Sequence, residues 1–492
     1  VTDVADLRPI LAPAISFACA ALVFASRHRV FWRAFWSLSA AGLKLAVVAS
    51  MLPGVLDGTV YAASVVHFPP GLSLSFRVDG LAMFFGLVSS TLWLLTTIYA
   101  IGFMREGAHL GRFFGFFALC VSTTVAIAFA ENLLTLFVFY ELLTVCTYPL
   151  VVHSHSAEAR RAGHRYLAYL LTGGGLVLVG TVLTFSVAGT LTFAGEGILP
   201  AGTPRPLLAV IFVALVAGFG VKAAIMPLHA WLPAAMVAPV PVSALLHAVA
   251  VVKVGAFGVM RVVYQIFGID LLRDLGWTDW LAALAGVTIV AGSLLAIRQD
   301  NLKRRLAYST ISQVAYILLA VSVLSPLAAV AGIAHLANQA FAKITMFFVA
   351  GIVERTTHRT RVREFAGMGA RLPWTMAAFT ISALSFMGLP LFAGFVTKWY
   401  LFQGALQTGA WWFAVVLAVS SVLNAICWLP ILYLAWFQPA RGTAGGRVCA
   451  PAVLVVPTLV CAAYVILLGT TYLVPGAPLS LARAAAEGIF AP

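Results

Sequence analysis

The chain has 492 residues, 62% hydrophobic and only 9% charged, whereas a soluble domain carries about 25% charged residues. Most of it divides into apolar runs of the ~20 residues needed to span roughly 30 Å of hydrocarbon, which excludes a soluble globular fold. The net charge of +14 does not signal nucleic-acid binding: the arginines are scattered over short loops, with no basic stripe interleaved with aromatics.

Taken in chain order, the apolar runs fall at roughly 7–26, 34–52, 80–104, 112–130, 132–152, 165–188, 206–225, 240–266, 280–298, 305–324, 326–353, 374–406, 411–438 and 452–474. They predict an all-α integral membrane protein of about fourteen spans. The first run follows acidic residues and has no small-residue cleavage site, so it reads as a membrane helix rather than a signal peptide. The six cysteines form no Cys-x-x-Cys pair and read as small buried hydrophobes.

Topology follows from the basic residues. Nineteen lie in odd-numbered loops: Arg27, Arg29, Arg33, Arg105, Arg112, Arg160, Arg161, Arg165, Arg298, Lys303, Arg304, Arg305, Arg355, Arg359, Arg361, Arg363, Arg371, Arg441 and Arg447. Even loops and termini hold six, Arg8, Arg77, Arg205, Arg261, Arg273 and Arg483. This bias places the odd loops in the cytoplasm and both termini outside. The expected setting is the bacterial inner membrane.

The other five basic residues, Lys44, Lys222, Lys253, Lys343 and Lys398, lie inside apolar runs. Loops use arginine, which stays charged, while the spans use lysine, whose proton affinity moves readily on burial. Each lysine left facing lipid costs about 2.5–3.5 kcal/mol. The central ones must therefore face inward.

Glu141 is the one acidic residue deep in a span, the fifth. A carboxylate there needs protein, water or a cation beside it. Lys222 is its natural partner. It precedes a stretch containing Pro227, Pro233, Pro239 and Pro241, which cannot form a regular helix and must be buried in protein or line a cavity. Burial lowers a lysine's proton affinity in general and a nearby carboxylate raises it. A protonmotive force of ~150–200 mV is worth about 3.5–4.6 kcal/mol per charge, which a swing of two to three pKa units matches.

Downstream, the eighth span carries His247 and Lys253. The eleventh carries His335, Gln339 and Lys343 at spacings of four, which puts them on one helix face and suits a water-bridged proton wire. The twelfth carries Lys398 beyond Gly388, Pro390 and Gly394. Lys44 sits apart in the second span, with a structural or lateral role expected. Gly173–Gly175 lacks the ending of a phosphate loop and reads as a site of close helix packing.

Spans seven and twelve each couple a proline break with a lysine. Five crossings separate them, so the second unit enters from the opposite face, the mark of an inverted repeat with discontinuous helices at the transport site. The predicted organisation is a three-helix region over 1–110, a first five-helix repeat over 111–268, a second over 269–440, and a last helix and tail over 441–492.

The stretch Lys222-Ala-Ala-Ile-Met-Pro-Leu-His-Ala-Trp-Leu-Pro-Ala-Ala-Met-Val-Ala-Pro-Val-Pro-Val-Ser-Ala-Leu-Leu-His247 resembles a signature of the antiporter-like subunits shared by complex I, Mrp-type cation/proton antiporters and membrane-bound hydrogenases. Asp300-Asn-Leu-Lys-Arg-Arg-Leu-Ala-Tyr-Ser-Thr-Ile-Ser-Gln313, Tyr140-Glu141-Leu-Leu, Asn338 with Lys343, and Gly388-Leu-Pro-Leu-Phe-Ala-Gly-Phe-Val-Thr-Lys398 resemble further motifs of that family. The resemblance implies fourteen helices, two inverted five-helix repeats and a central polar axis. It implies Glu141 and Lys222 as a modulating ion pair and Lys253, Lys343 and Lys398 as carriers. Many relatives have His where Gln339 stands, and His335 is one turn away to substitute. Lys398 in place of Glu, and no long lateral extension after the last span, point to a member resembling the D-type component of Mrp antiporters.

The expected function is that of a proton-translocating subunit of a multisubunit Na+(K+)/H+ antiporter. The alternatives are a proton-pumping subunit of a complex I-like or hydrogenase complex, and a scaffold whose ion pairs only hold helices. Sodium takes oxygen ligands and the axis offers lysines, so the cation path is expected mainly in partner membrane subunits. No redox motif, cofactor site or metal site is expected in this chain.

Overall fold

A computed structural model describes residues 2–68, 71–105, 107–439, 448–471, 474 and 478–490. Arg441 and Arg447, used above for topology, lie outside the described residues. The helices that matter here are α1 (Arg8–Ala25), α2 (Val30–Ser50), α3 (Gly80–Phe103), α4 (Leu110–Ala128), α5 (Leu133–Val151), α6 (Ala157–Ala188) and α7 (Arg205–Ala223). They continue as α8 (Val240–Ala248), α9 (Val251–Arg261), α10 (Thr278–Ile297), α11 (Leu302–Ser322) and α12 (Pro326–Thr357). The last are α13 (Pro373–Met387), α14 (Ala393–Gln407), α15 (Trp412–Phe437), α16 (Ala452–Thr470) and α17 (Pro478–Phe490).

Among the described residues, twelve helical segments are long and apolar enough to cross a membrane. Fourteen are expected, and further elements fall short of that measure. α11 has the length, but its first turn holds Lys303, Arg304 and Arg305. α13 and α14, of 15 residues each, flank a break over residues 388–392 and are each too short to be counted. The protein is thus a nearly all-α, multi-pass membrane protein. One element is additional to the expected helices: a small sheet of β1 (Thr2–Ala5), β2 (Thr59–Phe68) and β3 (Leu72–Val78). β1 pairs parallel with β2, and β2 antiparallel with β3.

α12 is the centre of the fold. Its residues from Ala328 to Val353 are all buried, and it packs against α3, α8, α11, α13, α14, α16 and α17. A helix apolar nearly all round belongs in such a place, which gives its few polar groups no outlet but the interior.

Matching bonds recur along the chain. Leu133 N donates to Leu191 O at 2.9 Å and Phe193 N to Glu131 O at 3.1 Å; Leu302 N donates to Thr360 O at 2.9 Å and Val362 N to Asp300 O at 2.7 Å. Every residue number is raised by 169 (133 to 302, 191 to 360). Asn132 and Asn301 cap α5 and α11 in the same way, their side chains accepting from Thr135 N and Arg304 N. Ser156 and Ser325 cap α6 and α12, each 32 residues long. In this register Tyr140 corresponds to Ser309, Glu141 to Thr310 and Gly174 to Lys343.

Candidate functional site

Asn132 starts α5 and carries Tyr140 and Glu141 to its middle. Opposite them α7 ends one residue after Lys222, which lies in its last turn, where the free carbonyls of a helix end favour a cation. Ala224 turns the chain away at φ 56°. Trp231 is fully buried and its Nε1 donates to Val221 O at 2.8 Å, a carbonyl at the break that also accepts from Ala224 N at 3.1 Å.

Lys222 is fully buried; its Nζ donates to the Tyr140 carbonyl and stands 3.2 Å from the centre of the Tyr140 ring. The Tyr140 hydroxyl donates to Gly218 O at 2.9 Å, which fixes the ring beneath the ammonium. The charges of Glu141 and Lys222 act on one another, but no salt bridge joins them. Among the described residues all six salt bridges lie elsewhere. The implied ion pair is therefore an open one in this structure, with Tyr140 holding the ammonium.

The apolar run 240–266 is not one helix. α8 closes in a wide turn in which Val249 N and Ala250 N both donate to Leu245 O, at 3.1 and 2.9 Å. α9 begins at Val251 and passes into a π-helical turn over Val262–Phe267, a deviation frequent at functional sites. His247 therefore ends one helix and Lys253 starts the next. His247 is fully buried with neither ring nitrogen bonded, its ring 4.9 Å from that of Phe347 on α12. Lys253 Nζ is buried with no protein partner. α9 lies so close to α7 that a Cβ on Gly255 would fall on the backbone of Lys222 and Ala223.

On α12, Lys343 Nζ donates to Ser309 Oγ at 2.8 Å and stands 4.2 Å from the ring centre of Phe386. His335 shares a hydrogen bond of 3.0 Å between Nε2 and Gln313 O and stacks on Tyr316 at 5.4 Å. Both polar atoms of the Gln339 side chain are buried without a protein partner. Such groups normally find a bond, and bound water is the remaining source in so enclosed a place. Asn338 Nδ2 donates to Ala393 O at 2.8 Å, tying α12 to the start of α14.

Lys398 Nζ donates to Phe386 O and Met387 O, both at 3.0 Å, and to Ser421 Oγ at 2.8 Å. The two carbonyls are those left free where α13 ends. Gly388 follows at φ 88°, and a Cβ there would approach Lys398 Cδ to 2.8 Å; glycine serves both the turn and the lysine.

Lys343 lies within electrostatic reach of both His247 and Lys253, and His335 lies within reach of Lys253, Lys343 and Lys398. Lys44 stands apart, fully buried with its Nζ 4.4 Å from the Trp93 ring centre. The partners Ser309 and Ser421 were not foreseen from sequence, and neither was the seat on Tyr140. A serine in an apolar helix gives no sign of what it faces, though Tyr140, beside the one deep carboxylate, could have been suspected of touching its cation.

The chain matches the family model described as NADH:quinone oxidoreductase/Mrp antiporter, TM, over residues 130–424. Residues 69–114 match the model for the N-terminus of complex I chain 5. It is 32% identical to NADH-quinone oxidoreductase subunit N of Desulforudis audaxviator, over 89% of this chain and 90% of that protein. It is 33% identical to a component of a probable K(+)/H(+) antiporter of Rhizobium meliloti, over 74% of this chain but only 36% of that longer protein. The membrane-bound sulfane sulfur reductase, an archaeal respiratory membrane complex, contains a chain of the same fold: TM-score 0.89, 26% identity, 98% of each chain covered. The Mrp complex from Dietzia sp. contains another, with TM-score 0.87, 23% identity and coverage of 99% of this chain and 98% of that one. Antiporter and respiratory proteins thus stand side by side among its relatives, and the chain belongs to the NADH:quinone oxidoreductase/Mrp antiporter membrane family.

Proposed function

We propose that this chain is the proton-translocating subunit of a multisubunit membrane complex and carries protons along Glu141, Lys222, His247, Lys253, His335, Gln339, Lys343 and Lys398. The observation that carries this reading is the row of four lysines, buried or nearly so, at helix breaks and on the central helix. Among the described residues, none has a carboxylate within salt-bridge distance. Lysines that only pinned helices together would be paired, because an unpaired buried charge costs several kcal/mol. Lysines that take up and release protons need neutral or wet neighbours instead, and Tyr140 O, Ser309, Ser421 and the carbonyls of the α13 break supply them.

The gradient-driven form of this reading is a Na+(K+)/H+ antiporter component resembling the D-type Mrp protein in a bacterial plasma membrane, with both termini outside. The axis presents ammonium groups rather than the oxygen cages that bind sodium, so the cation is assigned to partner subunits. Everted vesicles carrying the whole complex with Lys222→Ala should lose sodium- or potassium-driven pH recovery; unchanged exchange overturns the reading.

A second form is favoured by the match to subunit N of a quinone oxidoreductase over nine-tenths of that protein. In it the same axis is driven by electron transfer in neighbouring subunits. Co-purification separates the two: iron–sulfur or nickel–iron subunits indicate the redox-driven form, small membrane subunits alone the antiporter.

A further inference from the structure

The three glycines Gly173, Gly174 and Gly175 of α6 have three different surroundings. A Cβ on Gly173 would press on Val221 Cβ at 2.9 Å and Gly218 O at 3.0 Å, so this glycine lets α6 and α7 touch. A Cβ on Gly175 would meet nothing within 4 Å. A Cβ on Gly174 would fall directly on the carboxylate of Glu141. The side chain of Glu141 therefore occupies the space that any other residue at 174 would fill. Its Oε1 is buried there without a hydrogen-bond partner.

The internal register adds an independent observation. Counting on by 169, Gly174 corresponds to Lys343, and Tyr140 and Glu141 correspond to Ser309 and Thr310. In the second half the ammonium of Lys343 reaches back from α12 to Ser309 on α11. At the equivalent positions of α6 and α12 the two halves thus differ: the bare glycine at 174 meets a carboxylate on α5, whereas the long cation at 343 bonds the hydroxyl of Ser309, the counterpart of Tyr140, on α11. With the Glu141 carboxylate in its present place, there is no room for a side chain at 174.

We propose that Gly174 is a positioning residue for proton transfer: its bare α-carbon is the seat of the Glu141 carboxylate and so sets the separation of that carboxylate from Lys222. The proposal rests on the reading of Glu141 and Lys222 as members of the proton path. Lys222 from α7 acts on the carboxylate, and Tyr140, its neighbour on α5, and Tyr166 on α6 lie within its electrostatic reach. Filling the seat drives the carboxylate away from its place while every titratable group stays in the chain.

The test uses the full complex in everted vesicles, with proton movement followed against pH. Gly174→Ala is expected to lower transport at least tenfold and to displace its pH profile, while Gly175→Ala, with open space around it, matches wild type in both. Glu141→Asp retracts the carboxylate by one methylene, so Gly174→Ala added to Glu141→Asp should restore transport above the Gly174→Ala level. If Gly174→Ala fails to assemble, removing the occupant should rescue assembly in the Glu141→Ala/Gly174→Ala double variant. Three results overturn the proposal: Gly174→Ala indistinguishable from Gly175→Ala, loss of transport that Glu141→Asp does not relieve, or an assembly defect that Glu141→Ala does not relieve. Glu141→Gln alone tests the underlying reading separately, since full transport by that variant removes Glu141 from the path whatever Gly174 does.

Discussion

The guanidinium of Arg261 clasps the carboxylate of Asp79, with Nη1 at 2.7 Å from Oδ2 and Nη2 at 3.2 Å from Oδ1. This joins the end of α9 to the start of α3. Asp79 also caps α3, accepting from Ala82 N at 2.7 Å. Burial pushes the Asp79 carboxyl upward, but the charge of Arg261 and these hydrogen bonds outweigh it and hold the group below its ordinary value. The side chain of Arg261 is only 2% exposed. Asp79→Ala should therefore cost about 3–5 kcal/mol, because it strands a buried charge. Thermal unfolding of the purified chain in detergent measures this, and a loss below about 1 kcal/mol, the range of surface pairs, would show that Arg261 finds another partner.

Among the described residues, Ser309 supplies the one hydrogen bond of the Lys343 ammonium. Ser309→Ala leaves the lysine in place and removes that bond, worth about 1–3 kcal/mol when a charged group is left without it. If it stabilises one protonation state of Lys343 during transfer, transport should fall about tenfold, since 1.4 kcal/mol is one order of magnitude in rate. Ser309→Thr, which keeps the hydroxyl, should retain most activity. Equal transport in Ser309→Ala and wild type would remove this bond from the mechanism.

Lys398 bridges the break between α13 and α14 to α15 through three hydrogen bonds. Lys398→Met keeps the length and loses the charge. Transport should drop more than tenfold, and stability by about 1–3 kcal/mol as the acceptors at the α13 end are left without a donor. Vesicle assays and thermal unfolding read the two effects separately. A variant with normal transport and lowered stability would make Lys398 a staple rather than a carrier.

Gln339 is fully buried with both amide atoms unpartnered among protein groups. On a dry helix face Gln339→Leu would be neutral or stabilising. As an anchor for water in a proton wire, its loss should slow transport several-fold without lowering the unfolding temperature. Gln339→His, placing a titratable ring on the same face, should retain transport. Undiminished transport by Gln339→Leu would exclude the anchor role.

His153 follows α5 in a turn. Burial first, then the nearby charges of Arg112, His109 and His155, push its imidazole down to about 4. The folded protein thus holds it neutral where the unfolded chain, near 6.5, takes a proton. The unfolded state binds more protons between these values, so stability must fall as pH drops from about 6.5 towards 4 and be unaffected above it. His153→Gln should flatten that part of the unfolding profile in detergent, and identical acid profiles for the two proteins would show that His153 plays no part.

Much of the candidate site is legible in the sequence. Long apolar runs force helices, and a lysine among them must face inward, so Glu141, Lys222, Lys253, Lys343 and Lys398 followed from solvation energy alone. The breaks after Lys222 and before Lys398 followed from proline and glycine, whose backbone limits are local. The wide turn at Val249–Ala250 had no such signal, because nothing in an apolar run marks where packing bends it. The alternation Leu72-Ser-Leu-Ser-Phe76 did carry the two-residue period of a strand, masked by the weight of helical evidence around it. What tertiary structure alone decided is which group each buried charge meets: Tyr140 for Lys222, Ser309 for Lys343, the carbonyls of Phe386 and Met387 for Lys398, and the bare α-carbon of Gly174 for Glu141. Hydrophobic burial acts through composition and period, and both are written along the chain. A hydrogen bond or a fitted cavity depends on atoms brought within a few ångströms from remote positions, and only the packed fold sets those distances.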